Sequence, residues 1–370
     1  MKKTINIFRS VEIILIILNS IWTLGGGRIF EHAMIRPFVE LCGEVGVTAL
    51  FVAFGYEVFV RFKAVEGNAE DTISTEGKGI GFIRHSWNYI RFIAPEYYVF
   101  FLATLIISGS GYFKASNLGN ILAHVFCLQG YFPEYAEAIN PTLWIIGLFI
   151  WFIVLAKPIY KLMRMKKVGN AIPFIFIGIS VITRFLLIKH LGFAGNPWVN
   201  ENILTTIEAF VIGMYISQAE EDKESEEQTN NRTCIVLVIM GALLLYFACI
   251  RIGGVAATTG ANVYGYIFHT FISLLIALMI YFANLIKLPK REEEGTIGKC
   301  FRWLERNVYA IIICHWIVIR FLLTHFEFLQ RLFQNGLVRF GGLTVIAVVS
   351  GWVLKLIGDV IRKLLKKASI

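Results

Sequence analysis

The chain has 370 residues, of which 56% are apolar and only 16% charged, with a mean hydropathy of +0.66 and a net charge of +9. That balance excludes a soluble globular protein, which at this length needs more polar residues to cover its surface, and points to a polytopic membrane protein. The surplus Lys and Arg residues sit between apolar runs, where they set topology, and no soluble stretch interleaves aromatic and basic residues as a nucleic-acid surface does.

The first apolar run, "RSVEIILIILNSIW" (9–22), follows Lys2 and Lys3 and precedes no small-x-small cleavage site, so it reads as a retained first helix. A bilayer core takes about 20 helical residues to cross. Runs of that kind lie near 8–26, 43–61, 89–109, 142–160, 171–188, 202–218, 233–250, 262–285, 305–323 and 340–358. The stretch 119–130, "GNILAHVFCLQG", is ambiguous by hydropathy alone.

Charge resolves that ambiguity. Lys2 and Lys3 place the amino terminus inside, and Arg61, Lys63, Lys78 and Arg84 place the second loop there too. The basic segment "KLMRMKK" (161–167) is also expected inside, which requires 110–141 to return without crossing; 119–130 is then interfacial or re-entrant. The same parity puts 220–232, 287–299 and the tail "RKLLKK" (362–367) in the cytoplasm. The expectation is an all-α bundle of about ten spans, with both termini cytoplasmic. It forms a single transmembrane domain over 1–370, with an acidic, turn-rich cytoplasmic loop at 220–232.

The six cysteines show neither CxxC spacing nor clustering with histidine, and there is no HExxH, so neither a disulfide framework nor a metal site is expected. G-x-S-x-G, P-loop and G-x-G-x-x-G elements are absent as well. Ionisable residues inside spans are costly and therefore informative. They are Arg9 and Glu12 in the first span, Glu57 in the second, then Arg184, Glu208, His269 and His315. Arg9 and Glu12 stand one helical turn apart and are placed to pair. Arg184 lies too far inside its span to snorkel and is expected to face the bundle interior, against an acidic side chain, helix carbonyls or an anionic substrate. His269 and His315 read first as hydrogen-bonded packing residues, and neither is identified as a base by its position in the sequence alone.

Six segments, taken together, resemble the integral-membrane acyltransferase 3 family. "INIFRSVEIILIILNS" is similar to its opening helix and "GEVGVTALFVAFGYEVFV" to its second. "YIRFIAPEYYVFFL" resembles its arginine-led Pro-x-Tyr helix, and "NPTLWIIGLFIWFIVLAKPI" its proline-leucine-tryptophan motif. "IEAFVIGMYIS" resembles its glutamate-phenylalanine then glycine-methionine segment, and "NVYAIIICHWIVI" its helix ending in histidine-tryptophan. The resemblance implies a ten-helix fold and transfer of an acyl group, usually acetyl, from cytoplasmic acetyl-CoA or another acyl-CoA to a hydroxyl of an envelope carbohydrate or lipid-linked acceptor. It implies no bound cofactor, and a bacterial plasma membrane as the location. Arg9 and Arg91 match its arginines and are the expected donor-binding residues, joined by Arg184 on its position in a span. Gly46, Gly55, Pro95, Tyr97, Trp144 and Gly213 match its structural motifs.

The sequence departs from the pattern at the positions that carry chemistry. Asn6 replaces the aspartate ahead of Arg9; Asn19 or Ser20 stands where the first-helix histidine is expected; Thr48 replaces an aspartate. Phe149 stands for a glutamate, Asn88 for an arginine and Ile312 for a tyrosine. Asn and Ser have no side-chain pKa suited to a general base, so Glu12 and His315 become the candidate catalytic groups. Three functions fit: an O-acyltransferase with relocated chemistry, an inactive relative serving as a partner subunit in an envelope pathway, and a transporter of a polar lipid or sugar.

Overall fold

The computed structural model describes residues 3–25, 34–70, 77–108, 114–223, 231–286, 295–326 and 336–368. Within these it is all-α, with no strand. In chain order the helices are α1 (Lys3–Leu24), α2 (Arg36–Glu70), α3 (Gly77–Ser108), α4 (Leu118–Val125), α5 (Leu143–Met163), α6 (Ile172–Lys189), α7 (Ile203–Lys223), α8 (Asn231–Ile252), α9 (Val255–Thr259), α10 (Val263–Leu285), α11 (Thr296–His325) and α12 (Gly336–Ala368).

Among the described residues, nine helices are long and apolar enough to cross a bilayer: α1, α2, α3, α5, α6, α8, α10, α11 and α12. The region 202–218 forms α7, which carries Glu208 and Glu220, both buried. Its carboxylates are taken up by other helices, and its apolar residues, Phe210, Val211 and Met214 among them, join the core, so it belongs to the interior. The stretch 119–130 holds the eight-residue α4 and a 3-10 turn at Gln129–Tyr131. At 1.5 Å per residue, α4 is about 12 Å long and too short to cross. Most of the expected acidic loop lies outside the described residues; α7 ends at Lys223 and α8 begins at Asn231.

Helix α2 lies between α1 and α7, and α10 closes against α7 and α8. Without water, every polar group must be satisfied internally, and close backbone approach replaces hydrophobic driving force. Glycines permit that approach. A Cβ at Gly55 would fall on the Phe210 carbonyl oxygen, and one at Gly213 on the Val52 carbonyl oxygen, so α2 and α7 touch backbone to backbone. A Cβ at Gly46 would stand 2.9 Å from the Glu12 carbonyl oxygen, a close but looser approach of α1 to α2. These three motif glycines are thus the packing points of the central helices.

Other motif residues hold the frame. Pro95 sits inside α3, and the Tyr97 hydroxyl donates to the His124 carbonyl oxygen at 2.7 Å, tying α3 to α4. Glu96 on α3 accepts from Arg362 on α12 at 2.6 Å through both oxygens, a fork-to-fork pair. Trp144 and Phe149 pack with Phe51, and Phe149 also meets Phe54 and Tyr309 edge-on, so the residue standing for a glutamate fills an aromatic core. Asn202 starts α7: its Oδ1 accepts from the backbone N–H of Leu204 and Thr205, satisfying donors a helix start leaves over.

Candidate functional site

One end of the bundle holds a half-open cavity of about 590 Å³. It is lined by the C-terminal parts of α1, α6 and α11, the N-terminal parts of α2, α5, α7 and α10, and the segments before α5, before α7 and at α9. All of these are helix ends on one side of the bundle. His315, Arg184 and Trp144 are among the lining residues.

His315 is fully buried on α11, and both ring nitrogens are engaged. Nδ1 lies 3.1 Å from the Ile311 carbonyl oxygen and 3.0 Å from that of Ile312. Two carbonyls facing one nitrogen require that nitrogen to carry the proton. Nε2 is then the acceptor, 2.9 Å from the Ser20 hydroxyl, whose single proton is shared between Nε2 and the Ile16 carbonyl oxygen at 3.0 Å. Ser20, one of the two positions where the first-helix histidine is expected, therefore meets an imidazole supplied by another helix. Asn19, the other, turns its amide to the carbonyls of Val39 and Glu40 on α2. Beside His315, the buried indole Nε1–H of Trp316 has no hydrogen-bond partner and lines the same cavity.

A second imidazole repeats the pattern. Thr48, standing for an aspartate, lies 3.4 Å by its hydroxyl from His269 Nδ1. His269 Nε2 in turn lies 3.0 Å from a Glu44 oxygen, at ion-pair distance but out of hydrogen-bonding alignment. The other Glu44 oxygen accepts from Thr258 at 3.1 Å. The chain thus carries a carboxylate and a ring at this end of α2 and α10, although Thr48 itself cannot ionise.

Arg184, 1% exposed, is held by Glu208 at 2.7 Å, by the Thr205 carbonyl oxygen and by Thr270 at 3.3 Å. Thr270 also donates to Glu208 at 2.7 Å. Of the three environments expected for this cation, the structure shows two, an acidic side chain and a helix carbonyl.

The remaining candidates lie elsewhere. Arg9 is buried at the opposite end, where Glu57 binds it and also accepts from Arg61; Glu305 is 3.9 Å away. The partner of Arg9 is thus a glutamate on α2, which the one-turn spacing to Glu12 did not indicate. Glu12 is 1% exposed, its two carboxylate oxygens have no hydrogen-bond partner, and it is not among the cavity-lining residues. Arg91 is exposed on α3, its guanidinium 5.8 Å from the Trp87 ring centre. The side chains of Asn6 and Asn88 lie outside the described residues.

Two carboxyls outside the spans complete the site. Glu137, before α5, and Glu201, before α7, meet at the cavity wall. Burial raises the carboxyl pKa of both, and Glu201 is raised further by the charges of Glu137 and Glu44. Like charges this close share a proton. Sequence reading passed over Ser20, Glu44, Glu137, Asn200 and Glu201 as lining groups. The one local signal was the polar run "NPWVNEN" (196–202), too hydrophilic for a span and too short for a domain.

A family model described as an acyltransferase domain, that of acyltransferase 3, matches residues 2–356. No curated protein and no solved structure gives a significant match. The match covers nearly the whole helical bundle, and the chain belongs to the integral-membrane acyltransferase 3 family.

Proposed function

We propose that this protein is an O-acyltransferase that moves an acyl group, acetyl in the simplest case, from acyl-CoA to a hydroxyl of an envelope carbohydrate or lipid-linked acceptor. The observation that carries this reading is Ser20 Oγ at 2.9 Å from His315 Nε2, at the wall of a half-open cavity. An acceptor hydroxyl taking the place of the Ser20 hydroxyl gives its proton to Nε2 as its oxygen attacks the thioester carbonyl. The tetrahedral intermediate then expels the CoA thiolate, which recovers that proton. Nδ1–H stays on the α11 carbonyls throughout and holds the tautomer. The unpartnered Trp316 Nε1–H is the available donor for the developing oxyanion.

His315, rather than Glu12, is the base in this reading, because Glu12 does not line the cavity. The topology that fits is ten crossings with both termini cytoplasmic in a bacterial plasma membrane, which turns the cavity end outward, toward the acceptor. Arg91, exposed and on the inner side of α3, is then the group best placed for CoA phosphates. Arg9 and Arg184, already held by Glu57 and Glu208, set the frame around the donor and acceptor paths.

The test is transfer from labelled acetyl-CoA by the full chain in nanodiscs, read as hydrolysis and as label in envelope glycans, with His315→Gln and Glu12→Gln beside the wild type. Label is expected to move in wild type and Glu12→Gln and to stop in His315→Gln. Wild-type protein that neither transfers nor hydrolyses overturns the proposal.

A further inference from the structure

The cavity contains far more acid than its reaction requires. Among the described residues, five glutamates line it, at 40, 44, 137, 201 and 208, against a single Lys or Arg, Arg184. That arginine is spent on Glu208 at 2.7 Å. Glu40 is met from outside by Arg36 at 2.8 Å. His269 stands against Glu44, and His315 has its Nδ1 directed to two backbone carbonyl oxygens. Glu137 and Glu201 face each other with no cation lining the cavity beside them.

The wall they form has acceptors left over. Glu201 is 9% exposed and Asn200 7%, and both line the cavity. Glu201 Oε2 has no hydrogen-bond partner; neither has Asn200 Oδ1, whose amide nitrogen is turned to the Thr258 carbonyl oxygen at 3.4 Å. A buried acceptor left unpaired is costly, and a ligand that brings N–H groups into the cavity can satisfy these two in place of water. An ammonium is the group with donors and no acceptor, and its charge answers the carboxyl pair. Trp22, Trp144 and Phe51 are aromatic residues of the lining beside which the rest of such a ligand would lie.

We propose that the wall formed by Glu137, Asn200 and Glu201 is the acceptor subsite and that it selects a hydroxylated acceptor bearing a protonated amine, an amino-sugar unit with its nitrogen free. Uronic-acid and phosphate-bearing sugars are turned away by the same carboxyls. This rests on the reading of the cavity as the acceptor site of an acyltransferase, and it adds the charge of the acceptor.

Binding tests it without turnover. The full chain in zwitterionic nanodiscs, at about pH 6.5 where a sugar amine is protonated, is titrated with three disaccharides: the β-1,4 dimer of glucosamine, cellobiose and digalacturonate. The glucosamine dimer is expected to bind ~10-fold or more tightly than cellobiose, with digalacturonate weakest. Non-specific attraction gives the opposite order, since the chain carries a net charge of +9. In Glu137→Gln/Glu201→Gln the preference should fall to within about 2-fold, while cellobiose binding stays. Asn200→Asp, which keeps the side-chain volume, should sharpen the preference.

Equal or better binding of cellobiose or digalacturonate overturns the inference. So does a preference that survives the double substitution, or the absence of saturable binding by all three disaccharides. Acetyl transfer is measured separately on the same preparation. Transfer to a neutral acceptor without charge preference removes only this inference, and charge preference without any transfer removes only the proposed reaction.

Discussion

The crossing of α2 and α7 makes the most direct physical prediction. Gly55 presses on the backbone of Phe210 and Met214, which flank Gly213, and Gly213 presses on the backbone of Val52 and Tyr56, which flank Gly55. An alanine methyl at either position lands on a carbonyl oxygen, and backbone cannot swing aside as a side-chain tip can. Overpacking of this kind costs about 1–3 kcal/mol, and a backbone obstacle places it near the top of that range. Alanine recovers about 1 kcal/mol of helix propensity over glycine, which leaves a net loss of about 2 kcal/mol for each single variant. The double variant should lose only slightly more than either single, because the first methyl already separates the helices and makes room for the second. The measurement is a double-mutant cycle on SDS-induced unfolding in mixed micelles. Gly178→Ala is the control, since nothing lies within 4 Å of its Cβ. Transfer activity should fall with stability, because α2 carries Glu44 and Thr48 and α7 carries Glu208. Single variants within about 0.5 kcal/mol of wild type, or a strictly additive cycle, would falsify the close crossing.

Three further outcomes follow from other contacts. Arg184→Ala strands Glu208 in a site 1% exposed and should cost about 3–5 kcal/mol; Arg184→Ala/Glu208→Gln should recover much of it, and a double variant no more stable than the single would contradict the pairing. His315→Gln should lower acyl transfer about 10²- to 10⁴-fold while unfolding changes little, the range for a lost general base; transfer within a few-fold of wild type would remove His315 from the reaction. His124, on α4 outside the spans, is held neutral by burial, its pKa pushed down to about 4 from 6.5. Since the unfolded chain takes up the proton first, its contribution is complete above about pH 6.5 and is lost as pH falls toward 4, by at most about 3 kcal/mol. His124→Gln should flatten that part of the stability curve, and an unchanged slope would show that another group governs it.

Much of this arrangement was legible in the amino-acid order. Apolar runs of bilayer length, interrupted by charge, specify helices because an unpaired peptide group has no partner in lipid. The glycines at 46, 55 and 213 stood out as motif residues, and the fold places each at a close approach between helices. Arg184 was recognisable as interior, since a cation that cannot reach the interface must be met inside.

The identity of the partners belonged to the tertiary structure alone. Ser20 and His315 are separated by 295 positions, Thr48 and His269 by 221, and Arg9 and Glu57 by 48. A local feature, the turn between Arg9 and Glu12, suggested a pair that the fold does not make; Glu57, one helix over, offers its carboxylate to Arg9 and Arg61 together. Helical periodicity records which face of a helix is buried but not which helix covers it, or at what depth. The sequence by itself therefore determined a helical membrane protein of this family with altered chemistry in its first two helices. Only the packing of α1 on α11 and of α2 on α10 decided that imidazoles meet Ser20 and Thr48, because that depends on how helices far apart in the chain come together.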